Sequence, residues 1–209
     1  MKIAVVAANG RAGRLIVEEA VKRGVEVTAV VRSENKTAAK NVIQKDIMDL
    51  TADDLKNFDV VIDCFGTWKV EDLPKHTTTS QHLCDILSGT DIRLLIIGGA
   101  GSLYIDEKHT AQLFNAPNFP AEYLPTATAQ SNELDELRKR NDVKWTFVSP
   151  AADFQAEGER TGKYILAGEV FTLNSKGESV ISYADYAVAM VDEATKGNHI
   201  QQRISVVRE

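Results

Sequence analysis

A run of apolar, largely β-branched residues ending at Val6 leads directly into two glycines three residues apart, Gly10 and Gly13, and this order constrains the fold more than any other feature of the 209-residue chain. A short apolar run without polar alternation suits a strand buried on both faces of a parallel sheet. Beyond the glycines, Ala12, Ile16 and Ala20 alternate with Gly13, Val17 and Val21 at a spacing of four, which gives a helix one apolar face, and Gly24 stops it. On the opposite face Glu18 precedes Lys22, and Glu19 precedes Arg23, by four residues, the favourable orientation for exposed ion pairs. Val25 to Val31 reads as the next strand. Strand, glycine turn, helix and parallel strand within about thirty residues predict a site where free backbone N–H groups and a positive dipole end meet a diphosphate. Gly10 lets the backbone approach that group and Gly13 lets the helix lie close to the strand. The first glycine of the usual pattern is absent. Ala8 stands there if the spacing is G-x-G-x-x-G, and Ala7 if it is G-x-x-G-x-x-G.

The rest of the chain continues the alternation. Strands are predicted at 41–44, 59–64, 93–97 and 144–148, with helices at 52–57, 77–87 and 131–141 between them. Strict alternation of this kind implies an α/β fold, a Rossmann-type doubly wound parallel sheet with helices on both faces. Beyond Pro150 the pattern loosens into short strands at 169–173 and 179–181, a helix at 183–195 and a last strand at 203–207, which predicts a small C-terminal portion covering the substrate. With 44% hydrophobic residues, the chain is expected to form a single domain over residues 1–209 around one core.

A net charge of −6 without a basic run argues against nucleic acid or an anionic membrane surface as partner. Cys64 and Cys84 form no metal-ligand spacing and are expected to be buried thiols in a reducing compartment. His76, His82 and His109 likewise show no metal spacing, so surface or helix-packing roles are expected of them and no metal is predicted. No apolar run is long enough to span a bilayer, and Met1 leads straight into the first strand without room for a signal peptide, so a cytoplasmic protein is expected.

In a doubly wound sheet the ligand lies beyond the carboxyl ends of the strands, near the reversal of strand order. The candidate cofactor-binding residues at those ends are Asn9, Gly10, Arg11, Ala12 and Gly13 of the first turn, Arg32 after the second strand, Asp46 and Ile47 after the third, Phe65, Gly66 and Thr67 after the fourth, Gly99 after the fifth and Pro150 after the sixth. An NAD enzyme usually carries an acidic residue where Arg32 stands. An arginine there, with Arg11 and Lys36 near it in sequence, suits the 2′-phosphate of NADP, so NADPH is the expected cofactor, with NAD the alternative. Asp46 either accepts from an adenine amino group above Ile47 or begins a turn. Ser102, the candidate catalytic residue, either hydrogen-bonds an acceptor or caps the segment that follows it. Phe154 is either a substrate wall or core.

On these positions the chain resembles the atypical short-chain dehydrogenase/reductases of the NAD(P)H-binding, NmrA-like group, in particular its NADH-flavin reductase-like members and biliverdin-IX-beta (flavin) reductase. The resemblance rests on residues 7–13 standing where the group has Gly-Ala-Thr-Gly-Arg-x-Gly, on Val31-Arg32, Lys45-Asp46-Ile47 and the segments 97–103 and 145–151, and on 181–187. It implies an oxidoreductase that passes hydride from a nicotinamide to a flat conjugated acceptor such as a flavin or a quinone, or, in a different class, an NADP(H)-sensing regulator without turnover. The Tyr-x-x-x-Lys pair of typical short-chain dehydrogenases is missing from its usual place, since Ala127 stands four residues after Tyr123. Tyr104 and Lys108 have the spacing but follow the fifth strand. The missing pair disfavours a sugar-nucleotide epimerase.

Overall fold

The structure, a computed structural model, describes residues 1–197 and 199–209. Five parallel strands build its left and centre: β1 (Lys2–Val6), β2 (Glu26–Val31), β3 (Asn41–Gln44), β4 (Val60–Asp63) and β5 (Arg93–Ile97). To their right follow β6 (Lys144–Ser149) and β10 (Gln202–Arg208), both parallel, and then β8 (Tyr164–Ala167), which runs antiparallel to β10. The order is β3-β2-β1-β4-β5-β6-β10-β8, so strand order reverses between β1 and β4. The fold is Rossmann-like α/β, and the antiparallel edge strand is the departure from the strictly parallel sheet expected. A separate parallel pair joins β7 (Asp153–Gln155) to β9 (Val180–Ser182).

Helices cover both faces. On one face α1 (Arg11–Lys22) packs against α5 (Tyr183–Lys196) over Ile3, Val5, Ala29 and Ile62. On the other, α2 (Ala52–Leu55), α3 (Lys75–Leu87) and α4 (Leu124–Leu137) cover Ala4, Val6, Val61 and Leu94. The period of two along β1 divides its side chains between two apolar cores, each fully buried side chain contributing about 1.5–3 kcal/mol.

Several boundaries differ from expectation, with α2 and α4 ending early at Leu55 and Leu137. Helix α4 begins seven residues early, at Leu124 instead of 131, because its first two turns bury Thr126 and Ala127, small side chains that leave no apolar periodicity to read. The stretch 169–173 forms no regular strand. Its backbone is taken by the long loop after β5, with Tyr104 N–H donating to the Glu169 carbonyl and Phe171 N–H to the Tyr104 carbonyl at 2.9 and 2.8 Å. The sheet edge is built from Tyr164–Ala167 instead.

The first turn holds the closest packing. A Cβ on Gly13 would lie 2.8 Å from the Ala8 carbonyl oxygen and 2.9 Å from Ala8 Cα, so α1 rests directly on the backbone that leaves β1. Ala7, at the position of the absent glycine, adopts φ +54°, the left-handed conformation that glycine ordinarily supplies. Gly13→Ala is therefore expected to lower the unfolding free energy by about 1–3 kcal/mol. Ala7→Gly should leave it unchanged or raise it by at most about 1.5 kcal/mol, since relief of about 1–2 kcal/mol of strain is offset by about 0.5–1 kcal/mol of chain entropy. Urea unfolding of the two variants checks both signs.

Candidate functional site

Gly10 is the N-cap of α1. Its N–H donates to the Ala7 carbonyl at 3.1 Å and its carbonyl accepts from Arg14 N–H at 3.0 Å. No side chain caps this helix start and no acidic residue lies in its first turn. The opening N–H groups of a helix lack intrahelical partners, so those of Arg11, Ala12 and Gly13 form a donor set with exposed Arg11 and Arg14 around it. The start of α5 is different, for the Ser182 hydroxyl there accepts from Asp185 N–H at 2.9 Å. An anionic group fits the first helix start and not the second. Asn9 is used inwardly: its amide donates to the Glu34 carbonyl at 2.9 Å and accepts from Lys36 N–H at 2.8 Å, tying the glycine turn to the segment after β2.

That segment carries Arg32, whose side chain is 80% exposed and whose Nη1 stands 3.8 Å from Asp46 Oδ2. Asp46 Oδ1 accepts from Met48 N–H at 3.0 Å and so caps the short turn at 47–49, while its Oδ2 stands toward Arg32. Ile47 belongs to the core under that turn and is 8% exposed.

At the end of β4 a buried polar cluster, which the sequence reading did not anticipate, supports the exposed loop. Phe65 N–H donates to Asp63 Oδ1 at 2.9 Å, and His76 Nε2 lies 3.2 Å from the Thr67 carbonyl while its ring meets Phe65 edge-on at 5.5 Å. His76 Nδ1 is 3.9 Å from Glu133 Oε2, and both side chains are nearly inaccessible to solvent. Burial pushes the Asp63 carboxyl up to about 6 and the Glu133 carboxyl well above the usual range, the nearby Asp63 charge adding to the effect on Glu133. Burial lowers His76. The one sequence signal for this cluster is Asp63, an acid in an otherwise apolar strand. Gly66 between the anchored residues has open space where a Cβ would be.

Ser102 and Pro150 are buried and Gly99 is half-buried. A Cβ on Gly99 would fall 2.1 Å from Gln130 Oε1, and Pro150 is buried at the end of β6. Ser102 is 3% exposed, with its hydroxyl accepting from Arg203 Nη1 at 2.8 Å. Arg203 also holds the Glu169 carboxylate, so this serine is tied into the contacts that fasten the long loop. Phe154 packs on the core with its ring 3.9 Å from Tyr183 and 4.9 Å from Tyr186. Cys84 is buried and pushed up to about 12, and Cys64, half-buried, is also raised by burial, which leaves both as unreactive thiols.

Two concavities of about 540 and 560 Å³ lie at the other end of the sheet, lined by the amino ends of β1, β4 and β5 and of β1, β2 and β3. The first also takes in Ala194, Thr195 and Lys196, the last turn of α5. A helix C-terminus presents carbonyls and a negative dipole end, which disfavours a diphosphate there. The carboxyl edge, open as it is, has the chemistry.

A family of NAD(P)H-binding proteins matches residues 7–196. This chain belongs to that family. Among its relatives, the Bacillus subtilis protein YwnB, itself uncharacterised, is 44% identical over 212 residues, spanning 100% of this chain and 99% of its own. The crystal structure of a proposed NADH-flavin reductase from Streptococcus pneumoniae superposes with a TM-score of 0.98 at 57% identity, with both chains covered in full. A proposed epimerase from Bacteroides thetaiotaomicron follows at a TM-score of 0.86 and 33% identity, over 99% of this chain and 96% of that one. For a member of this family, the uncapped start of α1 is the natural place to look for the diphosphate.

The cluster behind Gly66 has a measurable signature. A carboxyl raised in the folded state holds its proton longer than in the unfolded chain, so its contribution to stability is full at low pH and is lost as pH rises through the folded value. Between about pH 4 and 6 the unmutated protein should therefore lose up to about 3 kcal/mol relative to Asp63→Asn, Glu133 acting in the same sense and His76 in the opposite one. Denaturant midpoints of the two proteins across that window check it.

Proposed function

We propose that the chain is an NAD(P)H-dependent reductase, NADPH-preferring, that passes hydride to a flat conjugated acceptor of the flavin or quinone type. The observation that carries this reading is the uncapped start of α1 at the reversal of strand order, flanked by Arg11 and Arg14 and facing the open Gly66 segment. Asn9, Gly10, Arg11, Ala12 and Gly13 hold the diphosphate in this reading, and Phe65, Gly66 and Thr67 line the path toward the nicotinamide. Asp46, Ile47, Gly99 and Pro150 shape the backbone of the edge without contacting the cofactor. The name of the Streptococcus relative, a proposed NADH-flavin reductase, supports the class of acceptor.

The bound nicotinamide would supply one hydride, two electrons and a proton, and with one further proton from water a flavin or quinone becomes its dihydro form. The protein then contributes orientation and an approach free of bulk water. A tyrosine acid is not required. Tyr104 is stacked on His109 at 4.0 Å with only 3° between the rings, and the Arg203 guanidinium sits 5.6 Å from its centroid, so it is part of the loop's own packing. Tyr104→Phe should keep more than about a tenth of the rate, where loss of a general acid costs roughly a hundredfold.

Arg32 supports the choice of NADPH, because its guanidinium is exposed and only loosely paired with Asp46 at 3.8 Å. Charge-assisted hydrogen bonds to a 2′-phosphate are worth about 1.5–3 kcal/mol each, so NADPH should bind roughly tenfold to a hundredfold tighter than NADH, and Arg32→Ala should remove most of that preference. Calorimetric titration of both cofactors checks this, and equal or tighter binding of NADH by the unmutated protein overturns it. Turnover is the wider test. With NADPH saturating and FMN or a simple quinone offered, oxidation should proceed at about 1 per second or faster. Tight binding of NADPH with no acceptor reduced would instead make the chain a cofactor-sensing protein.

A further inference from the structure

Trp68 and Tyr123 are 68% and 49% exposed, and Val70 and Leu124 beside them in sequence are also exposed. The chain's other tryptophan, Trp145, is buried with its indole N–H donating to the Arg140 carbonyl. Trp68 is thus a large aromatic left in water where the core had no use for it. It is also held in place. Its ring meets Tyr123 edge-on, with centroids 5.9 Å apart and planes at 65°. Tyr123 is the N-cap residue of α4, and Trp68 directly follows Thr67, whose carbonyl is anchored by buried His76 and whose hydroxyl accepts from Lys69 N–H at 3.3 Å. Further along, Asp72 accepts from Lys75 Nζ at 2.6 Å, which holds its carboxyl below the usual range. The segment 67–72 therefore leaves the carboxyl end of β4 and meets the start of α4 through the Trp68–Tyr123 pair.

We infer that Trp68 and Tyr123 are the acceptor-binding wall, Trp68 offering a ring face and Tyr123 bracing it, against which a flat conjugated ring system stacks. The inference rests on the reductase reading and names the residues that would make it selective for flat acceptors. An edge-to-face pair leaves the face of one ring unused by the other, and that free face is what an extended π system requires. The location agrees, because the wall begins at the residue after Thr67, on the edge that carries the uncapped start of α1. A second copy of the chain covering the same patch would need no such continuity with the cofactor edge.

The test measures binding without turnover. In the presence of saturating NADP⁺, which cannot donate hydride, lumiflavin and FMN are equilibrated with the protein by dialysis, and their dissociation constants are compared for the unmutated chain, Trp68→Ala, Trp68→Phe and Tyr123→Ala. Stacking on one aromatic side chain is worth about fivefold or more in affinity, so Trp68→Ala should weaken lumiflavin by at least about that factor. Trp68→Phe should restore most of the loss, and Tyr123→Ala should show a smaller one. The dissociation constant for NADP⁺ should move less than about twofold in all three. Flavin affinity unchanged in Trp68→Ala overturns the wall while leaving the reductase reading intact if turnover persists. Failure of the unmutated protein to bind or reduce any flavin or quinone overturns both. A Trp68→Ala protein that changes its sedimentation but keeps its flavin affinity makes the patch a contact between copies and also overturns the wall.

Discussion

Everything at the carboxyl edge depends on how closely α1 can approach β1. Gly13 sets that distance, because any side chain there meets the Ala8 backbone. The approach forces the chain to turn within a few residues, and Ala7 takes a left-handed conformation to do so. It also aims the free N–H groups of the first helical turn beyond the ends of β1 and β4, where strand order reverses. From the same helix, Glu19 accepts from both Arg23 and Arg160, and Arg23 reaches Asp192 on α5, so the seat of α1 also fixes the C-terminal portion. Asp185 completes that attachment by accepting from Thr161 and Gly162 N–H groups.

Buried polar groups cost stability unless they are paired, and two of this molecule's buried polar clusters bear on the carboxyl edge. One is the Asp63, His76 and Glu133 cluster, which holds the backbone of residues 65–67 from below while Glu133 Oε2 has no hydrogen-bond partner among the described residues. The other joins Arg203 to Ser102 and Glu169 and fastens the long loop after β5 to the last strands. Both lie under loops at the carboxyl edge. Loops that must present backbone and side chains to a ligand carry little apolar surface of their own, so their order has to come from hydrogen bonds to groups inside.

Much of the architecture was legible in the residues. Strands β3 and β5 lie where their apolar runs predict, and α1 and α3 follow from helical periodicity with Gly24 ending the first at φ +73°. What escaped was of one kind. The first turns of α4 are made of small and polar side chains whose burial only neighbouring elements determine. The stretch 169–171 has strand-forming residues but pairs with Tyr104 from a distant loop. The cluster behind Gly66 unites residues 63, 76 and 133, which no local pattern relates.

By itself the sequence determined the alternation of strands and helices through β6, the glycine turn and the identity of the charged residues near it, because these follow from periodicity, from backbone conformational preference and from spacing within a few residues. The tertiary structure alone decided which of those residues are accessible. It left Arg32 and Trp68 in solvent, buried Ser102 under Arg203 and Ile47 in the core, and turned Asp46 into a cap. Accessibility depends on what packs across from a residue, and for each of these positions that neighbour comes from another part of the fold.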